Sequence, residues 1–197
     1  MSVVSPAPAP PVLLGWPEDG PTLRLNYRRF SYAGKFVMSN TGKAVIRARP
    51  DSDEHDSTDS KWDDDVLAAV AFNEDRTDSE TLWLRYVTVR KDHRGEGLGP
   101  RLCAFVAERA ADRGYERVRI AVNNPFAYEA LYKSGFAFIG EETGVAELVL
   151  ERPAGRPAER STDRYQVGLD IYRQRELSDS EAAFLERKRG ASPPTDG

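Results

Sequence analysis

Cysteine is nearly missing from these 197 residues: Cys103 stands alone, so no intramolecular disulfide can form, and a reducing, cytoplasmic setting is the expectation. Histidine occurs twice, as His55 and His93. His55 lies in an acidic stretch with no fixed ligand geometry, so no metal is expected. Long apolar runs are also lacking, since none approaches the roughly 18 to 20 residues that cross a bilayer. No basic segment followed by an apolar one opens the chain, so neither a membrane partner nor a secretory leader is expected. Positive charge is not in excess either: the formal net charge is -4, which gives no overall attraction to phosphate polymers and disfavours nucleic acid as a partner.

What is present is 40% apolar content, enough for one core with tails. Residues 1–21 are rich in proline and alanine and read as a flexible, extended arm. From Thr22 to Arg49, pieces such as 23–32 and 44–48 read as antiparallel strands with hairpin turns. Residues 50–65 carry like charges too densely to pack and read as a solvated acidic loop. The runs 66–72 and 81–90 are β-prone and joined by a polar turn; the second carries bulk on both faces, as a central strand does.

An amphipathic helix follows over 100–113, with Pro100 near its start, Gly114 past its end, and Leu102, Phe105, Val106 and Ala110 on one face. Residues 116–122 alternate as a strand, which makes the preceding unit a strand-helix-strand crossover. Asn124 then caps a short helix with Pro125 in its first turn and Gly135 as its stop. Strands over 136–141 and 145–151 turn at Thr143 and Gly144. Residues 153–197 form a linker, one more strand through Tyr165, Val167, Leu169 and Ile171, and a last helix. That helix opens on a capping box of Ser178 and Glu181, buries Phe184 and Leu185, and packs on the domain or binds a second copy as a homodimer.

The chemistry sits where the central strand meets the first long helix, at Arg94, Gly95, Glu96, Gly97, Leu98 and Gly99. A glycine turn opening a helix aims unpaired N–H groups and the positive end of the helix dipole at one point, which makes an anion site. Glycine at 95, 97 and 99 permits the dihedrals or the close approach of a phosphate, and Arg94 adds a bidentate partner. A dinucleotide fingerprint would need glycine where Pro100 stands, and no Gly-Lys-Ser/Thr follows for a nucleotide P-loop.

The spacing that does fit is R-x-x-G-x-G, as Arg94, Gly97 and Gly99, after a strand ending in Val87, Thr88 and Val89. A second segment holds Asn124, Ala127, Leu131, Tyr132, Gly135 and Phe136. Together these resemble the GNAT acetyltransferase superfamily over about residues 66–152. The paired helices that usually follow the family's first strand are not evident in the first half. The resemblance implies an α/β (α+β) fold whose mixed, mostly antiparallel central sheet is flanked by helices and has splayed central strands. It implies an enzyme that moves an acetyl group from acetyl-CoA to a small-molecule or peptide amine. The diphosphate would sit on the amides of 94–99, and the pantetheine arm would run along Val87 to Val89 as an added strand. Asn124 would line the slot.

A proton donor is needed for the departing thiolate, and tyrosine suits it. The family's tyrosine position falls on Leu131; Tyr132 comes one residue later, and Tyr128 shares the face of Leu131. Tyr132 is the first candidate and Tyr128 the second. Glu74, Asp75 and Glu80 are the carboxylates nearest the central strand, and a water chain is the alternative base. His93 reads as a solvated side chain beside the turn and Cys103 as a small buried hydrophobe. Two competing readings are a catalytically silent acyl-CoA-binding module and an RNA-stacking strand over 26–32.

Overall fold

The structure, a computed structural model, describes residues 7–49 and 60–195. In chain order it contains β1 (Val12–Gly15), β2 (Gly42–Arg47), β3 (Val66–Glu74), β4 (Thr81–Val89), α1 (Leu98–Asp112), β5 (Arg117–Val122), α2 (Pro125–Lys133), β6 (Ala137–Glu142), β7 (Leu148–Pro153), α3 (Thr162–Arg173) and α4 (Asp179–Arg187). The seven strands follow the order β1-β2-β3-β4-β5-β7-β6, with β1/β2, β2/β3, β5/β7 and β6/β7 antiparallel. The fold is mixed α/β with a mostly antiparallel sheet, and β4 is its fourth strand, in the centre as its two-sided bulk requires. The chain divides into two units, one holding the residues up to Glu74 with Leu84–Val106, the other Asp75–Trp83 with the residues from Ala107 onward.

In the first unit, β3 is buried along Val66 to Phe72, and its partner β2 aligns Ala44 with Val70 and Ile46 with Ala68. The arm is not loose over its described part. Val12 pairs with Val45, Ala9 N–H donates to the Arg47 carbonyl at 2.7 Å, and Trp16 packs edge-on to Phe72 with ring centroids 5.2 Å apart. Proline is tolerated there because the strand is an edge, where a missing N–H costs no ladder bond. Residues 1–6 of the expected arm, and 50–59 of the expected acidic loop with His55, lie outside the described residues.

The strand expected over 23–32 does not form. Asn26 accepts from the N–H groups of Arg29 (2.9 Å) and Phe30 (3.0 Å) through its carbonyl and from Arg28 N–H (3.0 Å) through its side chain, a turn that breaks the alternation. Leu23, Leu25, Phe30, Ala33 and Phe36 instead fold inward onto Val45, Val66 and Ala69. The RNA-stacking reading loses its strand with this correction. Lys43 is buried in β2, and its Nζ donates to the carbonyls of Pro21 (2.6 Å), Met38 (2.6 Å) and Thr41 (3.1 Å). Burial lowers its pKa, and the three carbonyls compensate by tying the irregular segment to the sheet.

In the second unit, β7 lies between β5 and β6, aligning Ile120 with Leu150 and Phe138 with Leu150. The strand expected through Tyr165, Val167, Leu169 and Ile171 is corrected to helix α3, capped by Ser161, whose hydroxyl accepts from Arg164 N–H at 3.2 Å. The buried set is Tyr165, Gly168, Leu169 and Tyr172, a stripe of helical period, while Val167 is exposed. Helix α4 has the capping box of Ser178 and Glu181 and buries Phe184 and Leu185. It packs within this unit: Phe126 and Phe184 centroids are 5.0 Å apart, and Gln166 Nε2 donates to the carbonyls of Lys188 and Ala191, both at 2.8 Å. Among the described residues no helix is long and apolar enough to cross a membrane.

Candidate active site

The glycine bend belongs to the first unit. Strand β4 ends at Val89; Arg90 N–H then donates to the Leu67 carbonyl (2.8 Å) and Lys91 N–H to the Arg29 carbonyl (3.0 Å), which fixes where the bend begins. Gly95 and Gly97 have φ of +85° and +75°, conformations that L side chains resist, and a Cβ built on either meets nothing within 4 Å. The bend is open on that side. Among the described residues, no N–H of Gly95, Glu96, Gly97, Leu98 or Gly99 donates to another protein group. The first three of these amides precede the 15-residue α1 and the last two open it, so their partial positive charge belongs to the helix N-terminus.

Gly99 differs from the other two. It has no positive φ, and a Cβ there would lie 3.4 Å from Val89 Cγ2 and 3.8 Å from Val87 Cγ1, ordinary contact distances. The protein alone therefore accommodates alanine at 99, and the dihedral argument applies to Gly95 and Gly97 only. Val87 and Val89 face the start of α1. Thr88 points the other way, buried, with no hydrogen-bond partner for its hydroxyl among the described residues. Arg94 Nη2 donates to Ser31 Oγ at 3.1 Å, so the irregular 22–41 segment supports the guanidinium expected to meet a phosphate. His93 is not solvated, as expected from its place beside a turn, but buried between Arg90 and Glu96. Both partners lie three residues away, but their meeting on the His93 ring depends on the path of the bend, which residue types alone do not show.

The other candidates lie in the second unit. Asn124 caps α2, its Oδ1 accepting from Ala127 N–H at 2.9 Å, with Pro125 at the first position. Tyr128 and Tyr132 follow on the same helix, both buried, with ring centroids 5.0 Å apart. The Tyr128 hydroxyl lies 3.4 Å from that of Tyr132 and 3.1 Å from the Tyr165 carbonyl; the Tyr132 hydroxyl accepts from Phe138 N–H at 3.0 Å. Helix α3 completes the cluster, with Tyr165 donating to Glu129 Oε2 (2.7 Å) and Tyr172 to the Val122 carbonyl (3.0 Å). Lys188 Nζ reaches the same glutamate, 2.6 Å from Oε1. Sequence reading missed Tyr165 and Tyr172 as partners because it placed Tyr165 on a strand and gave Tyr172 no place; their spacing of seven was the available signal.

Burial raises all four phenols above the ordinary range, with Tyr132 partly offset by the bonds from Tyr128 and Phe138 and Tyr165 pushed further by Glu129. A group whose native pKa exceeds its unfolded value stabilises the fold fully below the unfolded value, and that contribution is lost as pH rises through the native one. Stability should therefore hold to about pH 10 and then fall steeply, with these four of the eight tyrosines ionising only on unfolding. Phenolate absorbance followed together with circular dichroism tests this. Ionisation of all eight before any loss of structure would contradict the buried cluster.

Of the carboxylates near β4, Asp75 accepts from Thr77 N–H (2.8 Å) and hydroxyl (2.9 Å) and from Trp83 Nε1 (2.5 Å). The Thr77 bonds chiefly hold it down at about 2, which suits a turn-stabilising anion and not a base. Among the described residues no group of three or more His, Cys, Asp or Glu is placed to hold a metal ion.

Residues 28–136, more than half of the chain, match the family model described as Acetyltransferase (GNAT) family. The chain belongs to the GNAT acetyltransferase family. No curated protein matches it. Among solved structures, nourseothricin acetyltransferase is similar at 21% identity with a TM-score of 0.45, over 58% of this chain and 65% of that one, somewhat less than two thirds of its length. A GCN5-related N-acetyltransferase from Kribbella flavida is 20% identical over 57% of this chain and 67% of that one, with a TM-score of 0.45. The ribosomal-protein-S18-alanine N-acetyltransferase from Escherichia coli is 14% identical over 60% and 72%, with a TM-score of 0.42. Likeness at this level says nothing of the acceptor of this GNAT protein.

Proposed function

We propose that this GNAT chain transfers an acetyl group from acetyl-CoA directly to a primary amine of a small molecule or peptide. The observation that carries the reading is the open bend at Gly95 and Gly97, two left-handed glycines whose neighbouring amides donate to no group among the described residues and lead into α1. Such amides suit a diphosphate, and Arg94, steadied by Ser31, adds charge. The backbone of Val87 to Val89 is assigned to the pantetheine amides, in the manner of an added strand, and Asn124 to the substrate slot.

In the reaction the amine nitrogen bonds to the thioester carbonyl carbon and the carbon–sulfur bond breaks with its electron pair on sulfur. The amine then loses a proton and the thiolate gains one. We assign the donated proton to Tyr132, with Tyr128 as second candidate. Phe138 N–H occupies an acceptor position on the Tyr132 oxygen, and the raised pKa keeps this phenol protonated at neutral pH. A silent acyl-CoA-binding module is the second reading, favoured by Leu131 at the family's tyrosine position and by the burial of Tyr132.

Purified protein incubated with acetyl-CoA and a panel of amines, read by free thiol, tests the proposal, with calorimetric titration of CoA alongside. Turnover with at least one amine is expected. Binding without turnover on any amine would favour the silent module, and absence of CoA binding would remove both readings. Tyr132→Phe should lower kcat by roughly 100-fold with CoA affinity unchanged, the size of a lost general acid. Equal kcat would return Tyr132 to a packing role.

A further inference from the structure

Glu96 is out of place in an anion cradle, since it puts a carboxylate between the two left-handed glycines. A carboxylate within a turn of a helix N-terminus is attracted to the amides there and repels any other anion approaching them. Here it is turned aside. Glu96 Oε2 lies 2.9 Å from His93 Nδ1, and the His93 ring is fully buried while Glu96 remains partly exposed. On the far side of the ring, His93 Nε2 lies 2.7 Å from Arg90 Nη2. A guanidinium only donates, so Nε2 accepts and Nδ1 carries the hydrogen that is given to Glu96. Arg90 is fixed in turn, its Nε donating to Asp92 Oδ1 at 2.8 Å, and His93 N–H donates to the Arg90 carbonyl at 2.8 Å. The ring thus has one orientation and one tautomer, and both serve to hold the carboxylate.

We propose that His93 is a positioning residue that keeps the Glu96 carboxylate off the amides of the bend, leaving them to the diphosphate of the cosubstrate. The inference rests on the reading of the bend as a diphosphate site. Glu96 is then tolerated in the cradle because it is tethered, and the cost of losing His93 depends on whether residue 96 is charged. A role in local packing alone would carry no such dependence.

Calorimetric titration of CoA at one fixed salt concentration, on the wild type and three variants, decides the matter. His93→Leu, which removes the donor, should weaken CoA by about tenfold. Glu96→Gln keeps an acceptor for Nδ1 but not the charge, and should bind CoA as tightly as wild type or more so. The double variant should return to within about threefold of Glu96→Gln, the coupling expected of two groups in contact. A double variant as weak as His93→Leu alone, or a His93→Leu protein as tight as wild type, overturns the proposal. Where His93→Leu does not fold, Glu96→Gln still decides, because a loss of affinity in that protein shows the carboxylate to be needed rather than restrained. Wild type that takes up no CoA overturns the diphosphate reading itself, whereas wild-type binding with the wrong variant pattern overturns only the role of His93.

Discussion

Replacing Gly97 with valine is expected to weaken CoA binding by roughly 30- to 150-fold, the equivalent of about 2–3 kcal/mol, while the protein stays folded. At φ +75° a β-branched residue pays the left-handed penalty in full, and the cheapest relief is rotation of the adjoining peptides. That rotation removes the convergence of N–H groups on which a diphosphate depends. The fold is spared because a Cβ at 97 meets nothing within 4 Å, so there is strain without a clash, and the melting temperature should fall by no more than about 6 °C. Gly97→Asn separates dihedral from bulk. Asparagine tolerates the left-handed region, so its affinity should lie well above that of the valine variant. Calorimetric titration of CoA on the three proteins is the measurement, and equal affinity for valine and wild type would remove the phosphate assignment.

The bend is legible in the chain's own residues because its backbone elements are local: β4, two glycines and the start of α1 lie within 20 residues, and Pro100 and Gly114 mark the helix by their own dihedral limits. Helix α2 is legible for the same reason, through Asn124, Pro125 and Gly135. Where two periods fit one stretch, the sequence pattern misleads. Tyr165, Val167, Leu169 and Ile171 alternate, yet Tyr165, Leu169 and Tyr172 also recur at four and three, and the packing of Gly168 against Tyr128 shows which face is buried. Residues 23–36 mislead differently. Their apolar members follow neither period, because Asn26 turns the chain and Lys43, far along the sequence, holds it there through the carbonyls of Pro21 and Met38. His93 has Arg90 and Glu96 three residues away on either side, but residue type alone does not say that the bend turns both side chains onto its ring.

Gly168→Ala is expected to destabilise the protein by about 3 kcal/mol, the upper part of the range for an overpacked core. Two effects oppose each other. In a helix interior, alanine is favoured over glycine by about 1 kcal/mol, so propensity alone would raise the melting temperature. Against this, the new Cβ would lie 2.1 Å from the Tyr128 hydroxyl oxygen and 2.5 Å from Cζ, so ring or helix must yield by more than an ångström. Neither can do so cheaply. Tyr128 is wedged among Tyr132, Phe138, Tyr165 and Tyr172, and α3 is tied through Tyr165 to Glu129 and through Tyr172 to Val122. The clash therefore wins, and the melting temperature should drop by about 6–12 °C. In a Tyr128→Leu background the obstructing ring is gone, and the same substitution should be neutral or stabilising by up to about 1 kcal/mol, a coupling that only direct contact produces. A rise in melting temperature for Gly168→Ala in the wild-type background would show that α3 does not press on Tyr128.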